Sequence, residues 1–110
     1  MSEIEGAKKA LQSVIEAAQG LEGVTEEKRR SLLARAQSAY NIVVQNEKKI
    51  WLKTSLGKAI VNDLNSSLVT LLKVVEKFKD SVELETVVAG VEAQTRRIEE
   101  ESRRRSMVVT

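Results

Sequence analysis

The sequence predicts an all-α fold, an antiparallel bundle of three or four helices. Apolar residues recur at spacings of three and four through most of the chain. Hydrophobic residues make up 42% of it with only one Trp, one Tyr and one Phe, and proline is absent. The spacing marks helix faces, the scarcity of aromatics calls for a core of Leu, Val, Ile and Ala, and the lack of proline removes the usual cause of a kink. One chain of 110 residues is the size of a single domain, with enough apolar surface for one core.

The first helix is expected over about residues 2–19, where Ile4, Ala7, Leu11, Val14, Ala18 and Leu21 fall on one face. Gly20 and Gly23 supply the freedom to end it. Thr25, followed by Glu26 and Glu27, reads as an N-cap with acid in the first turn. The second helix is expected over about 26–53. From there one alternation of three and four runs through Leu33, Ala36, Tyr40, Val43, Glu47, Ile50, Thr54, Gly57, Val61, Leu64, Leu68, Leu71, Val75, Phe78 and Val82. It permits two readings. A break at Thr54–Gly57, with Thr54 or Ser55 as the next cap, gives two antiparallel helices of ordinary length. The alternative is one long central helix over about 26–82, roughly 75 Å from Leu33 to Val82 at ~1.5 Å per residue, which would need a coiled-coil oligomer. The break is preferred because helices of ordinary length are far commoner.

A third helix over about 56–79 has the strongest stripe, with Ile60 and Leu72 widening the face of Val61, Leu64, Leu68, Leu71 and Val75. Asp80 and Glu83 have capping-box spacing ahead of a fourth helix over about 81–105, whose stripe is Leu84, Val88, Val91, Thr95 and Ile98. Gly90 inside it costs about 1 kcal/mol relative to Ala, which points to close helix packing. Glu99–Arg103, Glu100–Arg104 and Glu101–Arg105 are i,i+4 pairs, and residues 106–110 read as a frayed tail.

The residue inventory narrows function by exclusion. With no His and no Cys, imidazole-based triads, thiolate chemistry, disulfides and the usual transition-metal donor sets are ruled out. No EF-hand or phosphate-binding glycine loop occurs. The chain is therefore expected to be non-enzymatic, with no cofactor, no metal and no small-molecule substrate. The N-terminus carries Glu3 and Glu5 where a signal peptide needs positive charge, and no apolar run approaches a membrane span. A soluble, by default cytoplasmic, protein is the expectation.

The net charge of +2 conceals an asymmetry. Residues 1–46 balance, 59–110 carry one excess negative charge, and the excess positive charge lies in KKIWLKTSLGK, residues 48–58. Lys48, Lys49, Trp51, Lys53 and Lys58, with Arg103, Arg104 and Arg105, form the candidate interaction surface. Trp51 is read as a core or protein-interface residue, with a membrane-interface helix as the alternative. The small helical-hairpin substrates of type VII secretion also carry a mid-chain Trp, but Leu52 and Lys53 follow Trp51 here where that family has Trp-x-Gly, and the resemblance is not adopted. Ser31 and Ser106 follow basic runs in the arrangement basophilic kinases prefer. The leading expectation is a protein-interaction or self-assembly module (adaptor, chaperone-like or structural subunit) with a protein partner or homo-oligomer. The alternative is peripheral binding to a membrane or other anionic surface through Lys48–Lys58. Nucleic acid is disfavoured, because duplex binding gains from each phosphate neutralised and this charge is modest.

Overall fold

The computed structural model describes residues 3–77 and 82–108. Four helices form a bundle: α1 (Glu3–Gln19), α2 (Glu26–Asn46), α3 (Ser55–Lys77) and α4 (Val82–Val108), with a 3₁₀ turn at Ile50–Lys53 between α2 and α3. The expected capping pair Asp80–Glu83 and the stripe residue Phe78 involve positions outside the described residues. The fourth helix extends to Val108, three residues past its expected end.

The α1 stripe is buried as its spacing predicts, from Ile4 and Ala7 through Leu11, Val14 and Ala18 to Leu21 just beyond the helix. Gly23 takes the left-handed conformation with φ 84°, which an L side chain would resist. Thr25 is extended, and its hydroxyl accepts from the Lys28 amide at 3.2 Å. Glu26 sits at the positive end of α2 and pairs with Arg29 and Arg30.

The buried face of α2 differs from the expected one. Leu32, Ala36, Ala39, Val43 and Asn46 are buried, whereas Leu33 and Tyr40 lie at the edge of the core. The alternation through Leu33 and Tyr40 therefore traces the flank of the helix. Helix α2 also ends seven residues before its expected limit. Glu47, the C-cap, still has helical backbone angles, Lys49 is extended, and the chain turns through Ile50–Lys53 to an extended Thr54. The long central helix is thereby excluded, and the shared phase of the two stripes is coincidental.

Thr54 is the N-cap of α3. Its Oγ1 accepts from the Gly57 amide at 3.2 Å and donates to the Trp51 carbonyl at 2.6 Å. Lys58 N–H bonds to the Thr54 carbonyl at 2.9 Å, the first bond of the new helix. Downstream, Ile60, Val61, Leu64, Leu68, Leu71, Val74 and Val75 are buried on α3, and Val88, Val91, Thr95 and Ile98 on α4. The Thr95 hydroxyl is satisfied by the Val91 and Glu92 carbonyls. Gly90 has more room than its packing role required, since an added Cβ would meet only Ser67 Oγ, at 3.9 Å.

Side-chain bonds fix the directions. Lys8 meets Glu47 and Gln12 meets Tyr40, so α1 and α2 are antiparallel, whereas the starts of α1 (Glu3, Ile4) and α3 (Lys58, Val61) line one groove, so these two run the same way. Arg35 in the first half of α2 binds Glu85 and Glu92 in the first half of α4, and Trp51 just beyond the end of α2 binds Ser102 late in α4, so α2 and α4 run the same way. Each of α1 and α4 packs against both α2 and α3. Consequently α2 and α3 lie across a diagonal, and residues 47–54 cross one end of the bundle. The molecule measures 51 × 24 × 20 Å with a radius of gyration of 14.4 Å.

Candidate functional site

The crossover is held in place by what it buries. Trp51 and Leu52 turn inward and are 6% and 7% exposed. The Trp51 indole N–H donates to Ser102 Oγ at 2.8 Å, and the Arg105 guanidinium stands 5.4 Å from the ring centroid. A Cβ at Gly57 would lie 2.4 Å from both Leu52 Cα and the Trp51 carbonyl oxygen. Glycine is therefore required for α3 to pass beneath the turn, a role distinct from breaking a helix. Ile50, which the apolar alternation includes, is instead 83% exposed beside the buried Trp51.

Beside the turn lies a groove of about 580 Å³, lined by the start of α1 (Glu3, Ile4), the crossover (Glu47, Lys48, Lys49, Leu52, Lys53) and the start of α3 (Lys58, Val61). Ile4, Leu52 and Val61 give it an apolar floor, and its rim carries four lysines beside the carboxylates of Glu3 and Glu47. Glu47 is engaged by Lys8 at 2.8 Å, and that hydrogen bond raises the Lys8 ammonium above its ordinary value. Among the described residues, Lys48, Lys49, Lys53 and Lys58 have no carboxylate in ion-pair contact, and all four are exposed. The fold thus brings the four lysines of the expected surface together, and it withdraws Trp51 into the core.

The arginines of that surface stand apart from the groove. Arg103 approaches Glu99 at 3.9 Å, and Arg104 and Arg105 converge on Glu101 at 2.6 and 2.9 Å. The expected Glu100–Arg104 pair is replaced by Glu101–Arg104, because Glu101 is also within reach at i,i+3. Arg104 and then Arg105 hold the Glu101 carboxyl below its ordinary value. Their charge is spent within α4, and Arg105 also covers Trp51.

Other sites offer less. Arg35, between Glu92 and Glu85, is held well above its ordinary value by hydrogen bonds to both, and lowers Glu92 in return. Ser31 is exposed on α2, and Ser106 donates to the Ser102 carbonyl at 2.9 Å. Among the described residues no group of three or more carboxylates could hold a metal ion, and no helix is long and apolar enough to cross a membrane.

Ser102 was legible but unused: it continues the stripe of Val91, Thr95 and Ile98 at the next interval of four. The outward turn of Ile50 had no such signal. The fold and site define a four-helix bundle with a lysine-rimmed end. No family model, curated protein or solved structure matches the chain.

Proposed function

We propose that the protein is a non-enzymatic helical interaction module whose working surface is the crossover end, and that its partner presents negative charge there. The observation that supports this is the set of four exposed lysines around one groove, none in ion-pair contact with a carboxylate among the described residues and outnumbering the groove's two carboxylates, of which Glu47 is held by Lys8. Gathering like charges gives the fold nothing, so their use is external. The absence of His and Cys from the sequence removes imidazole and thiol from acid–base and nucleophilic work, which further favours binding over catalysis. The apolar stripes that suggested coiled-coil assembly are spent on the chain's own core.

Titration of the labelled protein with polyglutamate, followed by amide chemical shifts, tests the site. The largest changes are expected between Glu47 and Lys58, and to vanish in the variant Lys48→Glu/Lys49→Glu/Lys53→Glu/Lys58→Glu with its helical circular dichroism unchanged. Changes centred on Arg103–Arg105, or equal binding by the variant, would refute it.

A further inference from the structure

We infer that the anionic partner is the surface of a lipid bilayer bearing acidic headgroups, met end-on by the crossover, with Ile50 the side chain that enters it. This rests on the cationic end being the working surface. The turn buries Trp51 and Leu52 but leaves Ile50 83% exposed, with Lys48 and Lys49 immediately before it and Lys53 three residues after. An exposed apolar side chain flanked along the turn by lysines matches the order of a bilayer surface, with anionic headgroups outside and hydrocarbon beneath. The membrane-interface reading of the sequence places Trp51 in that role. Its indole is instead committed to Ser102 and Arg105, so Ile50 takes the position.

The charge arrangement supports the same partner, because on a fluid lipid surface each lysine gathers its own headgroups and contributes separately. The contact is peripheral, since no described helix can span the hydrocarbon.

Co-sedimentation of the full chain tests this, using vesicles of phosphatidylcholine alone and with about 30 mol% phosphatidylserine, an anionic surface of the kind lysines gather on. Binding is expected to the mixed vesicles alone and to weaken with salt. Lys48→Ala and Lys49→Ala should each lower the partition coefficient about fivefold. Ile50→Ser should lower it about tenfold while leaving polyglutamate binding unchanged. Equal binding to neutral vesicles, or full binding by Ile50→Ser, would overturn the inference. Binding of polyglutamate without binding of acidic vesicles would overturn the lipid assignment and leave the cationic site standing. Binding of neither would overturn both.

Discussion

Replacement of Gly57 by alanine separates tertiary geometry from helical propensity. Gly57 lies in the first turn of α3, where propensity alone favours Ala by at most about 1 kcal/mol. The structure opposes that gain, because the new Cβ would stand 2.4 Å from Leu52 Cα and from the Trp51 carbonyl oxygen, and 2.6 Å from Leu52 C. All three are backbone atoms, so relief requires the crossover to lift by about 1 Å, the shortfall from ordinary van der Waals contact. That movement pulls on the Thr54 cap and the Trp51–Ser102 hydrogen bond. Overpacking of this kind costs about 1–3 kcal/mol; at its midpoint of about 2 kcal/mol, the helical gain of about 1 leaves a net loss of about 1 kcal/mol and a Tm lower by roughly 4–8 °C. Thermal unfolding by circular dichroism measures the loss, and a red shift of Trp51 emission reports the opened crossover. A Gly57→Ala protein as stable as the parent, with unchanged emission, would refute the close approach as the reason for glycine.

Gly90→Ala is the counter-case: with only Ser67 Oγ near, at 3.9 Å, it should stabilise by about 0.5–1 kcal/mol in urea unfolding. Ser102→Ala strands the buried indole N–H of Trp51 and should cost about 1–3 kcal/mol, with a double-mutant cycle against Trp51→Phe showing coupling. Thr54→Ala removes the α3 cap and should cost about 1 kcal/mol in the same unfolding measurement. Arg35 holds the Glu92 carboxyl below its ordinary value of 4.5, so the stability it contributes is full above that pH and is lost as pH falls through the lower folded value. Arg35→Met should flatten that part of the acid limb in pH-dependent unfolding, while an unchanged limb would exclude the pair as its cause.

The core was readable wherever a helix buries one uninterrupted face. On α1, Ile4 through Leu21 needed only spacing, and the same holds for Val61 to Val75 on α3 and Val88 to Ile98 on α4. The reading failed on α2 because Ala36 and Val43 belong to two competing alternations, and only tertiary contact selects Leu32 and Ala39 over Leu33 and Tyr40. The early end of α2 was hidden for a related reason. Nothing in Glu47–Lys53 forbids a helix, and the break is imposed by the diagonal crossing, which demands an inward Trp51 and a Gly57 without a side chain. The lysine cluster was visible as local charge excess. Its groove was not, since Ile4 and Val61 reach it from distant parts of the chain.

The diagonal crossing also bears on the order in which the chain assembles. Each antiparallel pair, α1 with α2 and α3 with α4, joins neighbours in sequence and can form as a local hairpin. The cationic groove, by contrast, takes Glu3 and Ile4 from the first hairpin and Lys58 and Val61 from the second, and forms only when the two have docked. The crossover is thus the closing clasp of the fold, and its cationic end exists as a surface only in the finished molecule.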